Sequence, residues 1–284
     1  KIFSMTISPN DHSPHSNKTA LITGASSGIG RQIAQHLAQR GARVFGTARN
    51  PQTTQPVPGV ELVRMDVTDD TSVNEALQEI AQKAGPVEVL VNNAGYGLIG
   101  ALEECGEEQM LRNIETNLTG PLRVMRAALP VFREQRGGHF INMGAAAAIS
   151  NYAGFSVYGG AKAGMELASE AVAAEAAPFG VKVTVVIPGP FRTDFISRSL
   201  NRAEQSVPEY AATAGKFRGF LEKVDGKQPG DPAAAAQAII QAVESDKPPF
   251  RLVLGKYAIE KTRRKFAAAT RELDTWADVG LATE

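Results

Sequence analysis

The sequence predicts an α/β fold built on a doubly wound parallel sheet, and three observations lead to it. Short apolar runs alternate with amphipathic helical stretches, the order that lays helices on both faces of a parallel sheet. The stretch Thr23-Gly24-Ala25-Ser26-Ser27-Gly28-Ile29-Gly30 lies between an apolar triplet and a helical pattern, a glycine-rich strand–turn–helix junction. No internal repeat and no linker divides the chain, so residues 19–284 are expected to form a single domain.

Composition narrows the function classes. The 284 residues are 43% hydrophobic, ample for a core, and the formal net charge of zero lacks the basic footprint of a nucleic-acid binder. No apolar run approaches the roughly 20 residues needed to span a membrane. No signal-peptide pattern opens the sequence. One cysteine, Cys105, excludes an internal disulfide and a cysteine metal cluster and fits a reducing cytoplasm. Residues 1–18 are polar and aperiodic and are expected to be a mobile tail. The four residues before Met5 read as a cloning remnant, and His12 and His15 as solvated. His36 and His139 have no partner at metal-ligand spacing, and no metal is expected.

Each element follows in order. Ala20-Leu21-Ile22 is a buried first strand, and residues 31–38 carry apolar side chains at helical spacing. Between them, side chains at Gly24, Gly28 and Gly30 would keep the backbone away from a pyrophosphate, while the helix N-terminus offers free N–H groups. Residues 44–47 form a second strand, closed by Ala48-Arg49. An acidic residue there would hold ribose hydroxyls, whereas an arginine suits a 2′-phosphate. Arg49 therefore points to NADP(H), and the bland alternative is a solvated loop cation.

Residues 51–59 are a proline-rich loop, and 60–65 a third strand ending at Asp66-Val67. An amphipathic helix covers 71–84, and a fourth strand, 87–91, runs into Asn92-Asn93-Ala94-Gly95. A long helix over 110–130 contains Asn117, a polar residue that is costly in a buried helix unless its amide is satisfied. A fifth strand spans 139–143. Tyr158 and Lys162, four apart, then share one helical face. A Tyr with an ordinary pKa of about 10 is a poor acid–base catalyst at neutral pH, and a nearby ammonium and the nicotinium charge of a bound cofactor would both lower it. Strands at 181–187 and 250–254 complete seven. A helical lid with aromatic residues Phe195, Tyr210, Phe217 and Phe220 is expected over 195–228, followed by helices at 232–243 and 257–276.

Together, Thr-Gly-Ala-Ser-Ser-Gly-Ile-Gly, Asn-Asn-Ala-Gly, Asn117, Tyr158-x-x-x-Lys162 and Pro188-Gly189-x-x-x-Thr193 resemble the short-chain dehydrogenase/reductase family over residues 19–193. The resemblance implies a Rossmann-like fold with a mainly seven-stranded sheet, and a nicotinamide cofactor. It also implies a homodimer or homotetramer formed through the helices carrying Asn117 and Tyr158. By that resemblance Gly24, Ser26, Ser27, Gly28, Ile29 and Gly30 face the phosphates, and Asp66 with Val67 the adenine. Asn93, Ala94 and Gly95 pass close to ribose and nicotinamide, with Asn92 bracing the strand ends. Pro188, Gly189 and Thr193 hold the carboxamide. Tyr158 is the general acid/base, Lys162 tunes it and binds ribose, and Asn117 holds a water on the proton path.

One position departs. The family's catalytic Ser lies thirteen residues before the Tyr, where this chain has Ala145 within Gly144-Ala145-Ala146-Ala147-Ala148. Ser150 and Ser156 are poorly spaced substitutes. An introduced Ser→Ala change and a natural departure both account for it, and the retained Tyr158, Lys162 and Asn117 favour the first. The expected protein is an NADP(H)-dependent reductase of a hydrophobic carbonyl or alcohol. The alternatives are a non-catalytic NADP(H)-binding protein and an NAD(H)-dependent dehydrogenase.

Overall fold

A computed structural model describes residues 18–284; the expected tail, with His12 and His15, lies outside the described residues apart from Lys18. The main sheet joins β1 (Thr19–Thr23), β2 (Arg43–Ala48), β3 (Val60–Arg64), β4 (Val89–Asn92), β6 (Gly138–Met143), β7 (Val181–Pro188) and β9 (Arg251–Leu254), all parallel. Their order across the sheet is β3-β2-β1-β4-β6-β7-β9, so the winding reverses between β1 and β4. Loops diverge at such a reversal, and the cleft at the carboxyl ends of the strands opens there.

β1 and β4 are buried along their whole length, which is why both read as uninterrupted apolar runs instead of alternating ones. On one face α1 (Gly28–Gln39) and α9 (Pro232–Glu244) pack Ile33, Leu37, Ile239 and Ile240 against Val44, Val91 and Val186. On the other, α2 (Asp70–Ala84) and α4 (Gly120–Glu134) cover Phe45, Leu90 and Phe140 with Ile80, Met125 and Phe132. Local chemistry sets the helix starts. Asp69 accepts from Thr71 N at 2.9 Å, and Asp231 from Ala233 N at 3.1 Å with Pro232 in the first turn.

Three elements differ from the sequence expectation. The long helix begins at Glu107 as α3 (Glu107–Ile114), passes through a π turn at Glu115–Thr119 and continues as α4 four residues past Pro130. A second, two-stranded parallel sheet pairs β5 (Gly97–Ile99) with β8 (Leu200–Arg202); these three-residue strands are too short to leave a periodic signal. The segment expected to be a helical lid is mixed. It holds α7 (Phe195–Arg198), β8, a 3-10 turn at Pro208–Tyr210, a π turn at Ala211–Gly215, and α8 (Lys216–Val224). α5 (Ala146–Ile149) and α6 (Ser156–Ala176) follow β6, and α10 (Lys256–Leu281) runs beyond the expected 257–276. Among the described residues no helix is long and apolar enough to cross a membrane.

Candidate active site

The glycine turn is locked from below. β1 ends at Thr23, whose hydroxyl accepts from Asn93 N at 2.9 Å and Ala94 N at 3.0 Å, tying β4 to the turn at the winding reversal. Asn93 Nδ2 donates to Thr23 O and Gly24 O, both at 3.0 Å. Gly24 has φ +66° and Gly28 φ +58°, and a methyl added at Gly24 would sit 3.0 Å from Ala94 Cα. Gly30 serves a different purpose from the one expected. A methyl there would overlap the Asn93 amide, so this glycine allows close packing of α1 on β4 and does not border the cleft. The N-cap of α1, Ser27, makes no side-chain cap bond, which leaves the first-turn N–H groups facing the cleft.

The cleft is one cavity of about 1250 Å³ running along the strand ends. Gly24, Ser26, Ser27, Gly28 and Ile29 line it at the glycine turn, and Arg49, Asp66 and Val67 also border it. Arg49 is exposed. Burial pushes the Asp66 carboxyl up, but the Thr68 N–H and hydroxyl (3.0 and 2.7 Å), aided by Arg49 and Arg64, outweigh it and hold the carboxyl below its ordinary value. Asn93, Ala94 and Gly95 line the middle, and Pro188, Gly189 and Thr193 the wall after β7. Behind that floor Asn92 Nδ2 donates to Asn142 Oδ1 at 2.8 Å, and Asn142 Nδ2 to Ser169 Oγ at 2.8 Å, bracing the strand ends as Asn92 was expected to do.

Tyr158 reaches the cleft from α6; Lys162 and Asn117 lie beneath it and do not line it. Lys162 Nζ donates to Met143 O at 2.8 Å. Asn117 sits in the π turn, donating to Tyr96 O (2.8 Å) and Asn113 O (3.0 Å), while its buried Oδ1 has no partner. A methyl added at Gly95 would stand 2.6 Å from Asn117 Oδ1 and 3.4 Å from Lys162 Nζ, so all three border one small space. Burial drives the Lys162 ammonium down to about 8. The Tyr158 phenol goes the opposite way from the sequence expectation. Burial raises it, because Ile99, Ala145, Ala147 and Phe155 surround the ring with apolar surface.

Ala145 is the N-cap of α5, extended at φ −159°, and its methyl lines the cleft within the same cluster as Tyr158. Neither Ser150 nor Ser156 lines the cleft. Past Tyr158 the walls turn aromatic. Tyr152 stacks on Phe217 at 4.6 Å, and Phe195 lies 5.9 Å from Tyr158. Tyr210, expected among the inner lid aromatics, instead donates to Glu103 Oε2 at 2.7 Å outside the cleft. Among the described residues no group of three or more His, Cys, Asp or Glu is placed to hold a metal ion. His139 is buried in β6 with Nε2 at 3.0 Å from Thr184 Oγ1, and burial lowers it to about 4, which keeps it neutral. Thr23, Tyr96 O and Asn113 were not found in the sequence. Only Asn113, one helical turn before Asn117, left a spacing signal there.

A family profile described as short chain dehydrogenase matches residues 18–204. Oxidoreductase BOA17 of Botryotinia fuckeliana is 32% identical over 272 residues, 94% of this chain and 99% of that one. The 3-ketodihydrosphingosine reductase of Bacteroides thetaiotaomicron is 36% identical over 83% of this chain and 87% of its own length. The 3-oxoacyl-[acyl-carrier-protein] reductase FabG of Escherichia coli is 35% identical over 72% of this chain and 86% of its own. The crystal structure of a short-chain dehydrogenase from Streptomyces avermitilis superposes with a TM-score of 0.87 at 37% identity, over 94% of this chain and all of that one.

Proposed function

The chain is an oxidoreductase of the short-chain dehydrogenase/reductase family, and on that premise we propose that it is a cytoplasmic NADP(H)-dependent reductase interconverting a carbonyl and an alcohol on a hydrophobic small molecule. The observation that carries this reading is the position of Tyr158, between a dinucleotide-sized cleft and an aromatic pocket, with no hydrogen-bond partner for its hydroxyl among the described residues. The cleft fits such a cofactor. Its glycine turn tolerates no side chain at Gly24, the N-terminus of α1 is uncapped, and Asn117 Oδ1 is a buried acceptor without a donor. Arg49 would meet a 2′-phosphate, Asp66 and Val67 the adenine, and Pro188, Gly189 and Thr193 the carboxamide.

When bound, the nicotinamide supplies the hydride for the carbonyl carbon. Tyr158 gives its phenolic proton to the carbonyl oxygen, and burial keeps that proton in place until negative charge develops on the oxygen. Lys162, lowered to about 8, is an ammonium able to release a proton near neutral pH, and Asn117 Oδ1 beside it is an acceptor for a bridging water. Phe155, Phe195 and Phe217 exclude bulk water and select an apolar substrate. Residues 195–228 act as the lid over this pocket. Ala145 stands where the family's substrate-orienting Ser stands, so turnover in this chain is slow; we read the change as introduced. Subunits assemble through α4 and α6, where Leu167 is 66% exposed, and light scattering measures that assembly.

NADPH oxidation, followed by loss of its near-ultraviolet absorbance over a panel of hydrophobic ketones and aldehydes, tests the reading. A chain that binds NADPH yet stays silent on the panel even with Ser at 145 is not this reductase. Cofactor choice has its own test. Arg49→Glu is expected to weaken NADPH at least about tenfold, the worth of charge-assisted hydrogen bonds, and to leave NADH nearly unchanged. Equal affinity before and after would assign the chain to NAD(H). Lys162 supplies a pH signature of the free protein. Its folded value lies below its ordinary 10.5, so above about 8 only the unfolded state holds this proton and stability rises with pH through that window. The rise is at most about 1.4 kcal/mol per pH unit, and denaturant titrations of Lys162→Met against the parent chain should show it missing from the variant.

A further inference from the structure

We infer that α10 is an interaction surface for a second copy of this chain, paired antiparallel to itself as a two-helix coiled coil. This contact is separate from α4 and α6 and does not rest on the reading of the active site. The first turns of α10 lie on the body, with Ala258 buried and Lys261 and Thr262 half-buried. From Arg263 to Leu281 every residue is exposed except the half-buried Ala277. That length of helix in water carries large apolar groups: Phe266 is 53% exposed, Leu273 70% and Trp276 64%. A free helix draws most of its stability from packing an amphipathic face, and here the body offers none.

Five apolar positions and Thr262 form one seam. Ile259, Thr262, Phe266, Ala269, Leu273 and Trp276 recur at alternating steps of three and four, the spacing of coiled-coil core positions. Turned antiparallel about a two-fold axis between Ala267 and Ala268, the seam is complementary to itself. Phe266 falls opposite Ala269 of the second copy, Leu273 opposite Thr262, and Trp276 opposite Ile259, so a larger group meets a smaller one in each layer. The seam spans about 27 Å at 1.5 Å per residue.

Charge selects the same partner and direction. Residues 256–265 hold five cations and one carboxylate; residues 266–281 hold one cation and three carboxylates. The first turn has no acid and the last turn no base, the reverse of what the dipole of a lone helix favours. An antiparallel second copy sets each basic half against an acidic half. At the seam edge it brings Lys265 to Glu272 of the other copy, twice by symmetry.

Sedimentation or light scattering on the full chain tests this. The triple variant Phe266→Glu, Leu273→Glu, Trp276→Glu is expected to raise the dissociation constant of the contact about a hundredfold or more and to drop the assembly one step in mass. Unchanged circular dichroism and melting of the body would show that only the surface was altered. The charge pair gives the second arm: Lys265→Glu and Glu272→Lys each weaken assembly several-fold, and the double variant restores it. The inference is overturned if the parent chain is a monomer, or if the triple variant keeps the parent's mass. Failure of the double variant to restore what the singles lose also overturns it. A monomeric parent that co-sediments with vesicles of anionic phospholipid would assign the face to a membrane instead.

Discussion

Ala145→Ser is expected to raise the reductase rate by about 10²–10³-fold, the usual worth of one donor aimed at a developing oxyanion. The Ala145 backbone is already extended, and its methyl opens on the cleft in the cluster holding the Tyr158 ring, so a hydroxyl there would open on the cleft beside Tyr158 without moving the chain. Ser is also a favoured N-cap residue, and α5 has no side-chain cap, so the change carries no stability cost. The measurement is NADPH oxidation by parent and variant side by side on one panel of ketones. A variant no faster than the parent, on a substrate that both reduce, would show that the missing hydroxyl at 145 does not limit the rate.

In that restored background Tyr158→Phe is expected to lower kcat by about 10²–10⁴-fold, the range for losing a positioned general acid. NADPH affinity should hold, because the phenyl ring still fills the space between Phe155 and Ala145. The structure adds a sign. Burial raises the phenol, so in the free enzyme the protonated form needed for reduction persists across neutral pH and is lost only in strong alkali. Cofactor binding measured by fluorescence separates the two outcomes. If kcat survives the loss of the hydroxyl, another group donates the proton and the acid assignment fails.

Which residues the chain brings together was largely legible beforehand. Thr23 to Gly30, Asn93 to Gly95, Tyr158 and Thr193 each sit where a strand of the main sheet ends or a helix begins, and strand and helix periods are local properties. The contacts between those segments were not legible. Nothing in the sequence around Gly30 says that its missing side chain makes room for Asn93, 63 residues further along the chain, because that contact exists only once β1 and β4 are neighbours. β5 and β8, separated by about a hundred residues of chain, pair for the same reason.

Period, turn chemistry and helical spacing act over a few residues, so the seven strands of the main sheet, the glycine turn and the Tyr–Lys face could be read along the chain. The electrostatics arose only on folding. It buried Tyr158 among apolar side chains, turned the expected drop of its pKa into a rise, and left Asn117 Oδ1 unpartnered beside Lys162. Desolvation depends on every neighbour that folding assembles, and no short stretch of sequence contains them.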